Sequence, residues 1–174
     1  EKEAARQAAK QAKKDQWLRE QEEKRPTHEK YMKDAIRQAK KAAALGEVPI
    51  GCVIVHDGQV IGRGYNRRNT DKSTLAHAEI TAIKRASKKL GDWRLEDCTL
   101  YVTLEPCCHF GKQPPCVNAI LEAGISRVVV GSADPNPLVS GKGIAALQVQ
   151  GVAVTEGVLR EECDALNRIF FHFI

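Results

Sequence analysis

Three short segments of the 174-residue chain carry side chains suited to chemistry: His77-Ala78-Glu79, Pro106-Cys107-Cys108 and Pro114-Pro115-Cys116. One imidazole and two thiolates, with a fourth position left for water, form a recognised catalytic zinc set. His77, Cys107 and Cys116 supply those donors, so Zn2+ is the expected cofactor. Glu79, two residues past His77, need not ligate. A carboxylate there can take a proton from activated water and return it to a ring nitrogen and a leaving amine. The expected chemistry is hydrolytic deamination, with ammonia released. His-x-Glu alone is a weak signal, because many exposed helix starts carry it. A Glu-Pro-Cys some thirty positions later, directly after an apolar strand, makes the combination specific.

The spacing of the second thiol is unusual. The common signature is Pro-Cys-x-x-Cys, but here that spacing leads from Cys107 to Phe110. Cys116, following Pro114-Pro115 at a helix start, sits where amide donors and the helix dipole favour a thiolate. Cys108 competes, although neighbouring side chains diverge and rarely reach one metal without strain; it is read as a pocket or packing residue. Cys52 and Cys98, in or beside strands, and Cys163, on the last helix, read as buried thiols that pack as small hydrophobes.

These groups must be positioned by strands and helices that the sequence also marks. Residues 1–25 are almost entirely Ala, Lys, Glu, Gln and Arg and predict a helical arm with little to bury. Pro26 and Thr27 punctuate the chain, and a second helix is expected from there to Leu45, closed by Gly46. Residues 49–56 and 59–65 flank Asp57-Gly58, a strong hairpin signal. Then come a helix over 76–90, a strand over 99–104, a helix over 114–123 and a strand over 127–131. A helix over 143–150, a strand over 152–156 and a helix from about 160 complete the order. An initial hairpin followed by alternating strands and helices predicts an α/β chain: a three-layer α/β/α sandwich around a five-stranded mixed sheet, with an extra N-terminal helix. The expected division is an appended helical arm over 1–26 and a zinc-dependent domain over 27–174.

Composition bounds the reading. A 43% hydrophobic chain of this length suits one enclosed core. With no apolar run of 18 residues and a charged, unsignal-like N-terminus, no membrane partner is expected and a cytoplasmic location is. Six cysteines, three bunched beside prolines, suit reduced thiols and metal better than a disulfide framework. A net charge of +5 and a pI near 8.9 would help attract a phosphate backbone without identifying one.

The motifs also resemble known families. Over residues 31–107, GEVPIGCVIV, GYNRR, AHAEITAI and DWRLEDCTLYVTLEPC resemble the bacterial tRNA-specific adenosine deaminases, which convert the wobble adenosine to inosine. Over residues 105–174, EPCCHFGKQPPC, AGISRVVVGSADPNPLVSGKG and NRIFFHFI resemble the deaminase domain of the bifunctional riboflavin-biosynthesis enzymes, which act on a pyrimidine carrying a ribosyl phosphate. Both belong to the cytidine-deaminase-like superfamily, whose fold the resemblance implies. The long spacer from Cys107 to Cys116 is the riboflavin family's, which favours Cys116 as ligand. The mixture suggests a chimera or designed recombinant joined at the shared TLYVTLEPC strand.

The first resemblance implies that Asn66 and the backbone amides near Ala78 and Cys107 face the substrate base. The second implies that His109, Lys112, Asp134 and Asn136 lie around the substrate or its phosphate. A homodimer or larger homo-oligomer is implied by both. The leading expectation is therefore deamination of adenosine to inosine in tRNA-like RNA or single-stranded DNA. Deamination of the riboflavin-pathway diaminopyrimidine ribosyl phosphate, a small-molecule nucleotide, is the alternative. A zinc-stabilised scaffold with little turnover is a third.

Overall fold

Apolar residues on both sides of the strands set the layers. The computed structural model describes residues 2–172. Its elements are α1 (Lys2–Ala44), β1 (Gly51–His56), β2 (Gln59–Tyr65), α2 (Ala78–Leu90), β3 (Thr99–Leu104), α3 (Cys116–Glu122), β4 (Arg127–Ser132), α4 (Lys142–Val149), β5 (Ala153–Thr155) and α5 (Arg160–His172). Side chains alternate across a strand, so Cys52 and Ile54, Leu100 and Val102, and Val128 and Val130 point to one face. There they join Ala78, Ala82, Ile120, Ile144 and Leu147 of α2, α3 and α4. Val53, Val55, Tyr101 and Val129 point to the other face, against Tyr31, Met32 and Ile36 of α1 and Cys163 of α5. A sheet apolar on both faces has to be covered on both, which gives the three-layer α/β/α sandwich.

The five strands run in the order β2-β1-β3-β4-β5. β1 is antiparallel to both β2 and β3, while β3, β4 and β5 are parallel, so the sheet is mixed. The β1–β2 hairpin turns on Asp57 and Gly58, both with positive φ (48° and 73°), as a two-residue type I′ turn demands. β2 lies tight under α2. A Cβ at Gly64 would overlap the carbonyl of Ala78, the first residue of that helix. This close approach brings the start of α2, and His77 with it, down to the end of the strand.

The N-terminal region departs from the sequence expectation. α1 runs unbroken from Lys2 to Ala44 with Pro26 inside it, in place of two helices meeting at Pro26-Thr27. Pro26 removes a single N–H from the ladder, and it is exposed, so water can take up the freed carbonyl. Contacts on both sides hold the helix against the sheet. Gln21 accepts a hydrogen bond from Thr155 Oγ1 at 2.7 Å, and His28 Nδ1 is 3.0 Å from the Tyr101 hydroxyl. Residues 2–20 remain almost wholly exposed, whereas the buried stripe begins at Tyr31. Of the NRIFFHFI segment, Phe173 and Ile174 lie outside the described residues.

Candidate zinc and active site

The site forms where α2 begins and β3 ends. His77 is the N-cap of α2 but makes no capping bond with its side chain, which leaves the imidazole available. Asn66, just past β2, caps the helix in its place, its Oδ1 accepting the Ala78 N–H at 2.9 Å. One of the four orphan amides of the helix start is thereby satisfied from a neighbouring strand. Cys107 follows β3 and is stapled to the start of α3. Its carbonyl accepts the Val117 N–H at 3.2 Å and its Sγ accepts the Cys116 N–H at 3.2 Å. Cys116 is fully buried at the first position of α3, its Sγ 3.3 Å from His77 Nδ1.

The three donor atoms of His77, Cys107 and Cys116 all lie within 4.8 Å of one another. Around a tetrahedral zinc with bonds of about 2.0–2.3 Å, donors stand roughly 3.3–3.8 Å apart, so small inward movements suffice. The chemistry fits as well. Hydrogen bonding from Cys116, and then from His77, pulls the Cys107 thiol down to about 4, well below the ordinary thiol range. Cys116 is pushed up, first by its hydrogen bond to Cys107 and then by burial, and His77 is raised by its bond to Cys107. A thiolate in contact with a second thiol and an imidazole, two of the three half-buried, is a set that a dication stabilises by displacing protons. Cys108 is not part of it and packs against the core, while Cys52, Cys98 and Cys163 are buried.

Glu79 stands in the first turn of α2 with only 4% of its surface exposed. Burial first, and the Cys107 thiolate second, push its carboxyl up to about 7. Such a group exchanges a proton readily near neutral pH.

A cavity of about 240 Å³ opens beside these groups. Asn66, His109, Lys112 and Asp134 line it together with His77, Glu79 and Cys107. Ala78 and Asn136 do not. The Ala78 N–H, expected to face a base, is committed to Asn66. Asn136 is used in a local turn, its N–H donating to Asp134 Oδ1 at 2.9 Å and its own Oδ1 accepting the Leu138 N–H at 3.0 Å.

Other groups enter the site that sequence reading passed over. Arg68 and Gln113 line the cavity. Glu105, 3% exposed, accepts hydrogen bonds from the N–H groups of Asp134, Gly141, Gly143 and Ile144 at 3.0–3.2 Å. This carboxylate ties the loop bearing Asp134 to the segment that follows β3 and bears Cys107. The only sequence signal was a Glu before Pro106-Cys107 matched to a distant Gly-Lys-Gly.

Known proteins are similar to this chain in sequence and in fold. The family profile described as the cytidine and deoxycytidylate deaminase zinc-binding region matches residues 25–132. The chain is 46% identical over 147 residues to the tRNA-specific adenosine deaminase of Bacillus subtilis, covering 82% of this chain and 88% of that one. It is equally, 46%, identical over 146 residues to the riboflavin biosynthesis protein RibD of Actinobacillus pleuropneumoniae. That match covers 83% of this chain but 36% of the relative, so the chain spans about a third of that protein's length. In structure it is similar to a diaminohydroxyphosphoribosylaminopyrimidine deaminase/reductase of Thermotoga maritima, with a TM-score of 0.76 and 44% identity over 86% of this chain and 42% of that one. Because both kinds of relative align through more than four-fifths of the chain, the expectation of two sequences recombined at the TLYVTLEPC strand finds no support. The profile match, the His-Cys-Cys cluster and the buried glutamate beside it together place the chain in the cytidine and deoxycytidylate deaminase family, with zinc as its cofactor.

Proposed function

We propose that the protein removes an exocyclic amine from a heterocyclic base carried on a ribosyl phosphate, and that a free ribosylaminopyrimidine phosphate is its substrate. His77, Cys107 and Cys116 hold the zinc, which when bound acts as a Lewis acid that makes water nucleophilic near neutral pH. Glu79 would relay two protons: the first from the attacking water to the ring nitrogen, the second from the newly added hydroxyl to the amine, which departs as ammonia as the carbonyl forms. The walls of the cavity beside Glu79 would orient the base.

The observation that carries the substrate reading is the loop between Cys107 and Cys116. It folds along the cavity and contributes His109 and Lys112 to the wall, near Arg68. Three cationic or titratable donors around a single-nucleotide-sized cavity suit a phosphate. A relative of the same fold is named for a phosphoribosylaminopyrimidine deaminase, which supports this choice. A second reading, adenosine to inosine in RNA or single-stranded DNA, is favoured by Asn66 in the cavity wall and by the tRNA deaminase relative. A homodimer or larger assembly and a reducing, cytoplasmic location belong to the proposal. Exposed Phe110 and Leu138 on the loops flanking the site support the first, and six free thiols support the second.

The test is ammonia release by the zinc-loaded protein from the diaminopyrimidine ribosyl phosphate, run beside inosine formation in an anticodon stem-loop and in its deoxy analogue. Turnover of the free nucleotide with none of the stem-loop is the expected result. The reverse result transfers the assignment to RNA, and no ammonia from any of the three leaves a zinc scaffold.

A further inference from the structure

α1 turns one stripe toward the sheet, and from Tyr31 onward that stripe is apolar, with Met32, Ala35 and Ile36 following. Continued backwards at helical spacing, the stripe passes through His28, Lys24, Gln21 and Trp17. Its chemistry changes there from apolar to hydrogen-bond donating and cationic. These four side chains line a cavity of about 60 Å³ between the helix and the sheet. Across it stand Thr99, Arg127 and Ala153, the first residues of the parallel strands β3, β4 and β5. Cys107 follows the opposite end of β3, so this cavity is remote from the zinc site.

The lining offers donors and positive charge without a counter-charge. An ammonium, a guanidinium and an indole N–H can only donate. Gln21 accepts the Thr155 hydroxyl at its Oε1, which leaves its two N–H donors, and His28 engages the Tyr101 hydroxyl through Nδ1. No carboxylate lines the cavity, and among the described residues neither Lys24 nor Arg127 forms an ion pair. The glutamates of this part of α1 are engaged elsewhere, Glu20 with Gln16 and Glu22 with Arg25. The positive groups therefore act on one another. Burial first, and then Lys24 and Arg127, hold the His28 imidazole below its ordinary value. Cations of the helix facing a cation of the sheet oppose the docking of α1, and an anion placed between them turns that repulsion into attraction.

We propose that this cavity binds a phosphoryl group, free or as a monoester, held between Lys24 and His28 of α1 and Arg127 of β4, and that the bound anion fastens the helix to the sheet. A tetrahedral dianion brings enough acceptor oxygens to meet donors arriving from two elements, and the guanidinium fork suits it. The volume admits one such group and no base beside it. Trp17, Gln21 and Lys24 precede the residues 25–132 that the deaminase profile matches, so the site draws on side chains outside that profile. It is independent of which base the zinc site deaminates.

The two tryptophans of the chain make the test local, because Trp17 lines the cavity and Trp93 does not. The zinc-loaded full chain, labelled with nitrogen-15, is titrated with inorganic phosphate and separately with ribose 5-phosphate, sodium chloride holding the ionic strength constant. Trp93→Phe assigns the two indole N–H resonances. The expected result is a saturable shift of the Trp17 indole with a still Trp93. The dissociation constant read from Trp17 should rise at least about tenfold in Lys24→Gln and in Arg127→Gln. Both side chains are exposed, so the variants keep the fold. Shifts with inorganic phosphate alone make the free ion the ligand, and shifts with the ester extend it to phosphate monoesters; either sustains the site. A Trp17 indole that neither compound moves overturns it, as does wild-type affinity in either variant. Phosphate bound only beside the zinc leaves Trp17 still and counts against the site.

Discussion

Glu79 owes its usefulness to where it is buried. The same burial that pushes its carboxyl up to about 7 keeps it beside the thiolate and imidazole donors without making it one of them. Replacing it with glutamine keeps the volume and removes the proton acceptor, so Glu79→Gln should retain its zinc while kcat falls by about 10²–10⁴-fold. Metal analysis beside a rate measurement checks this, and an unchanged rate would remove Glu79 from the chemistry. At this scale His77, Glu79, Cys107 and Cys116 were legible in the sequence, because metal chemistry restricts donor type and spacing so strongly. Gln113, Arg68 and Glu105 were not. Glu105 acts on amides 29 to 39 positions further along the chain, and only the fold shows that they meet. Ala78 and Asn136 were expected near substrate; the Ala78 N–H donates to Asn66 and the Asn136 Oδ1 closes a local turn, contacts that motif matching does not register.

At the scale of elements, the strands and helices around the site followed from alternation, turn residues and caps, and most of their ends fall within about two residues of expectation. What the sequence did not reveal was how closely they pack. Gly64 on β2 has no room for a methyl group beneath the first turn of α2. Gly64→Ala should therefore destabilise the fold by about 2 kcal/mol or more and displace His77, which denaturant titration with metal analysis would detect. Unchanged stability would show that α2 is free to shift.

Pro26 misled the reading of α1 because propensity was weighed without the sheet contacts that hold the helix on both sides of it. Those contacts include His28, whose imidazole is held below its ordinary 6.5 by burial and then by Lys24 and Arg127. The unfolded chain thus takes up a proton more readily than the folded one. The stability this group contributes is complete above the ordinary value and is lost as the pH falls below it. Between about pH 7 and pH 5, wild type should lose more stability than His28→Phe, the difference isolating this residue from the zinc ligands. Equal slopes would contradict the account.

Over the whole molecule, the sheet gathers three separate stretches of sequence at one end, and the metal joins them. α2 brings His77 and Glu79, the end of β3 brings Cys107, and the start of α3 brings Cys116. The long spacer between the two cysteines forms part of the cavity wall as well as a route to the second ligand. Family membership and zinc follow from this assembly and from the matched profile, while the substrate depends on which groups the two loops present. The central claim is the identity of the ligands, and zinc content per chain tests it most directly. Wild type and Cys108→Ala should each hold one zinc per chain, and Cys116→Ala should hold essentially none. Zinc lost from Cys108→Ala and kept by Cys116→Ala would contradict the site described for this chain.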